Sequence, residues 1–271
     1  MELAKLLPAH GEVTTTDRTR LDLADVDAIV RAVRGLRPRL IVNAAGYTAV
    51  DRAERESEAA DAVNARAPAI LAEEAKRLDA LLVHYSTDYV FDGEAGTPYA
   101  EDAPAHPINA YGRGKLRGEE AIAAIGGASL IFRTSWIYSL HGQNFLLTIR
   151  RLARERDELR VVADQHGVPN WSRALAEATS AIVDQGLSAL AERSGVYHMS
   201  AQGCTTWFEF ARAILGPIER PRVVPIATAE YPTLAKRPAY AVLATRKLEE
   251  CFGIVLPDWR ESLAQCLAGQ E

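Results

Sequence analysis

A chain of 271 residues, 48% hydrophobic and 25% charged with a formal net charge of −5, is long enough to bury one large domain, or a domain with a smaller lobe. Its basic and acidic residues are interspersed, which argues against a dedicated nucleic-acid surface, and no apolar run approaches the roughly 20 residues needed to span a bilayer. The amino terminus lacks the basic and apolar regions of a secretion signal, so the expectation is a cytosolic, soluble protein.

Helical and strand signals alternate through the first two-thirds, the pattern of a parallel sheet with helices on both faces. Glu2 to Ala9 reads as a short helix stopped near Pro8 to Gly11, and the β-branched run Val13 to Thr16 as a strand. Asp25 to Gly35 reads as a helix. Arg39 to Gly46 follows as a buried strand running into small residues, where missing side chains let a flat ligand approach the backbone. Ala60 to Leu78 is helical, with Pro68 implying a kink or boundary. Leu81 to Phe91 is strand-like, and the helix carrying Tyr111 continues to about Ile125. A strand from Leu130, a helix Phe145 to Glu155, a strand Leu159 to Ala163 and a helix Arg173 to Gln185 extend the alternation. The texture changes at Gly195, with a strand Val196 to Met199, a helix near Trp207 to Leu215 and a proline-punctuated stretch from Pro217 to Pro238. Lys247 to Phe252 and a tail helix, Trp259 to Leu267, finish the chain. The expected fold is an α/β doubly wound parallel sheet, with residues 1–165 forming a dinucleotide-binding domain and 166–271 a substrate-binding lobe partly interleaved with it.

Within this frame, Ser86, Thr87 and Asp88 end a buried strand, and Tyr111 precedes Lys115 by four residues on the next helix. Residues four apart share a helix face, so the phenol and the ammonium are neighbours. A cation favours the phenolate of a tyrosine whose ordinary pKa is about 10, which makes it an acid–base group near neutral pH. The Thr87 hydroxyl can hold the carbonyl oxygen that it serves. The pattern suggests ketone reduction, although a tyrosine and a lysine at this spacing also occur on ordinary surface helices. Cys204, Cys251 and Cys266 are widely spaced, with no zinc pattern; reduced thiols in packed helices are expected, and no metal is assigned. Asn170-Trp-Ser172 fits a glycosylation pattern that has meaning only in a secreted chain.

A dinucleotide-binding sheet ordinarily opens with a strand and a glycine-rich turn that holds the pyrophosphate. No Gly-x-Gly-x-x-Gly or Gly-x-x-Gly-x-x-Gly precedes the first candidate strand. The expectation is therefore a Rossmann-like sheet without its first strand and glycine loop, through a shortened sequence or a genuine loss that impairs cofactor binding.

The ordered segments Val-Asn-Ala-Ala-Gly-Tyr-Thr-Ala-Val-Asp at 42–51, Ser-Thr-Asp-Tyr-Val-Phe-Asp-Gly at 86–93 and Asn-Ala-Tyr-Gly-Arg-Gly-Lys at 109–115 resemble the dTDP-4-dehydrorhamnose reductase family. So do Arg-Thr-Ser-Trp-Ile-Tyr at 133–138, Asp-Gln-His-Gly-Val-Pro at 164–169 and Arg-Pro at 237–238. The family belongs to the extended short-chain dehydrogenase/reductases, and the resemblance covers essentially the whole chain. It implies NADPH- or NADH-dependent reduction of the C4 ketone of a dTDP-linked 4-keto-6-deoxy sugar, dTDP-4-dehydro-L-rhamnose, in cell-surface polysaccharide biosynthesis. By the same resemblance Thr87, Tyr111 and Lys115 are catalytic, with Lys115 lowering the tyrosine pKa and holding the ribose. Thr87, Asp88 and Trp136 contact the substrate; Ala44, Ala45, Gly46, Tyr47, Asp22 and Leu23 lie along the cofactor. On sequence alone Trp136 reads as core, and Asn64 equally as a structural asparagine or a helix cap. Gly114 stands where serine is common in the family and Asn170 where threonine is.

Asp17, as an acceptor for a ribose hydroxyl, favours NADH, whereas Arg18, facing a 2′-phosphate, favours NADPH; the choice stays open, as does a homodimer. A second reading is a non-catalytic regulatory or partner subunit of the same fold.

Overall fold

The computed structural model describes residues 2–217 and 220–269. The strands, in chain order, are β1 Leu40–Asn43, β2 Leu81–Thr87, β3 Ser129–Thr134, β4 Ile137–Tyr138, β5 Glu158–Val162, β6 His166–Gly167, β7 Asn170–Trp171, β8 Gly195–His198, β9 Thr205–Thr206 and β10 Arg222–Ile226. The α-helices are α1 Glu2–Leu6, α2 Val26–Leu36, α3 Val50–Ala53, α4 Ser57–Asp61, α5 Ala67–Arg77, α6 Ala110–Ile125, α7 Phe145–Glu155, α8 Ser172–Val183, α9 Leu187–Ala191, α10 Trp207–Leu215, α11 Arg246–Phe252 and α12 Trp259–Ala268. A π-helical turn, Ala62–Arg66, joins α4 to α5.

Strands β1, β2, β3 and β8 pair in that order, all parallel, with Asn43 opposite His84, Thr87 opposite Thr134 and Arg133 opposite His198. Side chains alternate along a strand, so Leu82 and Ile131 turn to one face and pack with Ile29, Leu71, Ala75 and Ile122 of α2, α5 and α6. Leu81, Val83, Leu130 and Phe132 turn to the other and meet Leu175, Ile182, Leu248 and Phe252 of α8 and α11. Covered faces explain the unbroken apolar runs of β2 and β3, and make the arrangement the doubly wound one expected. Only the last residue of β1, Asn43, is buried.

Helix α6, which carries Tyr111 and Lys115, is started by Asn109, whose side chain accepts the Gly112 N–H at 2.8 Å, and by Glu54, which accepts the Ala110 N–H at 2.7 Å. It packs unusually close to its neighbours: a Cβ at Gly112 would collide with the Tyr89 carbonyl oxygen, and one at Gly118 with that of Asn64. Glycine at these positions sets the height of the Tyr111–Lys115 segment above the sheet.

A second core forms where β5 pairs in parallel with β10 under α7, α10 and α12, enclosing Leu146, Leu159, Val161, Phe210, Trp259 and Leu263. The chain crosses between the cores repeatedly: α7 and β5 belong to the second, α8 and β8 return to the first, and α10 and β10 leave it again. Among the described residues no helix is long and apolar enough to cross a membrane.

Several local expectations change. Residues 13–16 form no strand; they are exposed and have no pairing partner among the described residues, so their β-branched character is not realised. The helix expected from Ala60 begins at Ser57, passes through the π-helical turn and resumes with Pro68 in the first turn of α5, where a missing N–H costs nothing. The strand from Leu81 stops at Thr87, whose hydroxyl accepts the Tyr89 N–H at 3.2 Å and turns the chain into a short helical turn at Asp88–Val90. The proline-punctuated stretch contains β10, with Pro225 inside it, tolerated because this sheet has only two strands. Cys204 is an exposed thiol outside any helix.

Candidate active site

Tyr111, Lys115 and Glu119 follow one another at four-residue intervals on the α6 face that looks onto β2. Alternation on β2 presents His84 and Ser86 to that face. Glu119 accepts the Ser86 hydroxyl and holds the Arg133 guanidinium through Nε at 3.1 Å and Nη2 at 2.6 Å, with both side chains buried. Lys115 donates to the Tyr85 carbonyl at 2.6 Å and lies 3.1 Å from His84 Nε2. Burial lowers the Lys115 ammonium to about 8, against the pull of the Glu119 carboxylate. His84, wholly buried, is pushed well below the usual imidazole value by burial and then by the lysine charge.

Beside them, Thr87 Oγ1 donates to Asp88 Oδ1 at 2.9 Å and lies next to the Tyr111 phenol. Burial pushes that phenol up to about 12; Thr87 opposes the shift and the Asp88 charge adds to it. The expected depression by Lys115 is not found, because the lysine reaches past the tyrosine to Tyr85 and His84. The Tyr111 ring meets Tyr89 edge-on, with centroids 5.7 Å apart. Asp88 is 2% exposed, and burial raises its carboxyl to about 7 against hydrogen bonds from Thr87 and the local backbone. Its Oδ2 has no partner among the described residues. The structure thus brings Thr87, Asp88, Tyr111 and Lys115 together at the carboxyl end of the sheet, where α/β ligand sites lie.

At the same edge, β1 runs out into Ala44, Ala45 and Gly46, all exposed. Asn43 Oδ1 accepts the Ala45 N–H at 3.2 Å. Asn64 accepts the Tyr47 N–H at 2.8 Å and donates to the Tyr47 carbonyl at 3.0 Å, so it clamps this loop and does not cap a helix. A Cβ on Gly46 would lie 3.3 Å from Asn64 Oδ1 and press on this clamp. The Tyr47 hydroxyl donates to Glu56. Leu23 packs against the core that holds Ile29, Leu71 and Leu82, and Asp22 accepts the Ala24 N–H at 2.9 Å. Asp17 is engaged by its own turn, accepting from the Thr19 N–H at 2.9 Å, the Thr19 hydroxyl at 2.6 Å and the Arg20 N–H at 3.2 Å. The Arg18 side chain is 89% exposed.

Trp136, two residues past β3, adopts φ +41°, a backbone region that costs a bulky residue. Its indole stacks on Trp207 with centroids 3.6 Å apart and lies across Gly167, where a Cβ would come within 2.6 Å of the ring. Trp136 is half-buried against Trp207 and Gly167, not in the core. Trp207 backs it, and the sequence marks Trp207 only as a helix start. Asn43 and His84 were equally silent; a histidine inside an apolar strand opposite a polar strand end is the signal that would have found them.

The exposed small-residue loop, the clamp on Tyr47 and the donors of Tyr111 and Lys115 fit an extended dinucleotide. Among the described residues no group of three or more metal-binding side chains is present. The family model described as RmlD substrate binding domain matches residues 1–271. A dTDP-4-dehydrorhamnose reductase of Burkholderia thailandensis is 46% identical over 278 residues, covering 98% of this chain and 93% of that protein. One of Escherichia coli is 39% identical over 253 residues, covering 91% and 84%. The crystal structure of a Bacillus anthracis dTDP-4-dehydrorhamnose reductase in complex with NADP superposes with a TM-score of 0.91 at 32% identity, covering 99% of this chain and 94% of that one.

Proposed function

We propose the following roles from the premise that the chain belongs to the dTDP-4-dehydrorhamnose reductase family and is an NAD(P)H-dependent oxidoreductase of rhamnose biosynthesis. Tyr111 protonates the C4 oxygen of dTDP-4-dehydro-L-rhamnose to give dTDP-L-rhamnose. The nicotinamide cofactor supplies the hydride. The observation that carries this reading is the Thr87 hydroxyl, hydrogen-bonded to Asp88 and next to the Tyr111 phenol, at the sheet edge that also holds an exposed small-residue loop. A phenol held at about 12 keeps its proton at neutral pH, the form that a proton donor needs.

Thr87 has one proton, given to Asp88, and its oxygen accepts from the Tyr89 N–H. Turned from Asp88 to the Tyr111 oxygen, this hydroxyl steadies the phenolate left when the substrate oxygen takes the proton. Asp88 offers its unpartnered Oδ2 to a sugar hydroxyl. Trp136, backed by Trp207, supplies a flat apolar wall for the sugar ring. Lys115 has two groups on the protein and one N–H left for the ribose hydroxyls. Ala44, Ala45, Gly46 and Tyr47 pass along the cofactor, with Asp22 and Leu23 toward its adenosine end. NADPH is accepted at least as well as NADH, because Asp17 is saturated by its own turn while Arg18, exposed and paired with Asp22 only at 3.9 Å, can turn to a phosphate. The reaction takes place in the cytosol and feeds cell-surface polysaccharide.

The test is conversion of dTDP-4-dehydro-L-rhamnose by the purified chain with NADPH or NADH, followed by nicotinamide absorbance and by identification of the sugar product. Folded protein that forms no dTDP-L-rhamnose with either cofactor refutes the assignment.

A further inference from the structure

Asn43 and His84, which the roles above do not use, form a buried polar chain with Lys115; the three are 5%, 0% and 3% exposed. The parallel register sets Asn43 opposite His84. Asn43 Nδ2 lies 3.1 Å from His84 Nδ1, and His84 Nε2 lies 3.1 Å from Lys115 Nζ. The ring therefore bridges the end of β1, where the exposed loop begins, to the lysine on α6. Among the described residues, the groups facing this chain are the Tyr85 carbonyl on Lys115, the Tyr111 phenol one turn before it on α6, and the Glu119 carboxylate one turn after it, itself tied to Arg133 of β3 and Ser86 of β2.

Hydrogen-bond polarity along the chain is restrictive. A neutral imidazole has one N–H and one acceptor nitrogen. Asn43 uses its carbonyl oxygen on the Ala45 N–H and turns its NH₂ to His84 Nδ1. Nδ1 then accepts, Nε2 carries the proton, and Nε2–H donates to the lysine nitrogen, which must be the neutral amine. When Lys115 is an ammonium it donates instead, Nε2 accepts, the ring proton moves to Nδ1, and Asn43 must present its oxygen to that proton. Rotating the amide withdraws the oxygen from Ala45. The backbone N–H of the exposed loop is thus occupied in one state and released in the other.

We propose that Asn43 and His84 are positioning residues that couple the protonation of Lys115 to the backbone N–H of Ala45, with the tautomer of His84 as the coupling element. A ligand that accepts from the Ala45 N–H favours the charged lysine, and by reciprocity a charged lysine favours that ligand. This consequence rests on the reading of the Ala44–Tyr47 loop as a cofactor site; the coupling itself is a property of the free chain. Burial supports it by keeping the imidazole neutral and bringing Lys115 to about 8.

The test is ¹⁵N NMR of cofactor-free protein labelled at histidine, with the His84 signals assigned by their loss in His84→Gln, titrated from pH 6 to pH 10. The expected result is a neutral ring throughout whose protonated nitrogen changes from Nδ1 to Nε2 near pH 8, and a ring that no longer changes in Lys115→Met. A ring that keeps one tautomer across the range, that becomes doubly protonated within it, or that still changes in Lys115→Met overturns the proposal. Absent reductase activity with the tautomer change intact would instead fault the functional reading.

Discussion

Asp88 is held at a cost to folding, and replacing it by asparagine should expose that cost as a pH-dependent gain. An aspartate has an ordinary pKa of 3.8, and burial raises Asp88 to about 7. Between those values the folded chain keeps a proton that the unfolded chain has lost, so the contribution of Asp88 to stability is intact below about pH 4 and is lost as pH rises through about 7. The interval of about 3 pH units, at ~1.4 kcal/mol each, amounts to about 4 kcal/mol. Asp88→Asn removes this term but adds a buried NH₂ where Oδ2 already lacks a partner, a constant loss of about 1–3 kcal/mol. The variant should be less stable than wild type at pH 4.5 and more stable at pH 8, with the difference between the two proteins changing by about 3–4 kcal/mol across the range. Urea unfolding followed by tryptophan fluorescence at each pH measures it, and charges common to both proteins cancel. A wild-type-minus-variant difference that is the same at pH 4.5 and pH 8 would refute an aspartate kept near neutrality by burial. Loss of turnover alongside the gain at pH 8 would mark Asp88 as a site where stability is given up for function.

The Glu119–Arg133 pair, buried on both sides, should be worth more by its integrity than by its net energy: Glu119→Gln leaves a buried guanidinium half-satisfied and is expected to cost about 3–5 kcal/mol in urea unfolding. A loss below about 1 kcal/mol would show that Arg133 finds other partners. Arg18→Ala should raise KM for NADPH by about threefold and leave KM for NADH unchanged, the scale of one exposed charge pair. Equal effects on both cofactors, read from steady-state kinetics, would remove Arg18 from phosphate recognition.

Much of the fold was legible because its signals are local. The apolar run from Leu81 and the small residues from Ala44 to Gly46 have the character of a covered parallel strand and an open loop. Helices at Phe145–Glu155 and Trp207–Leu215 appear with the bounds that their periodicity suggests. The convergence of Thr87, Asp88, Tyr111 and Lys115 was also readable, since the end of a covered parallel strand and the start of the helix that follows it meet at the carboxyl edge of the sheet. What escaped depends on distant partners. Val13 to Thr16 has strand chemistry but nothing to pair with, and β10 was hidden by Pro221 and Pro225 because its partner β5 lies some sixty residues away. The direction of the Lys115 side chain was equally unreadable. Spacing places it on the face of Tyr111, but the carbonyl of Tyr85 and the ring of His84 decide where its nitrogen rests, and with it the pKa of the phenol.

The central claim, that Tyr111 gives the proton to the C4 oxygen, is tested most directly by Tyr111→Phe, which keeps the edge-on contact with Tyr89 while removing only the hydroxyl. With calorimetric affinity for dTDP-4-dehydro-L-rhamnose within about twofold of wild type, kcat should fall by roughly 10²- to 10⁴-fold, the range for a positioned general acid. A kcat within about tenfold of wild type under those conditions would mean that another group protonates the ketone.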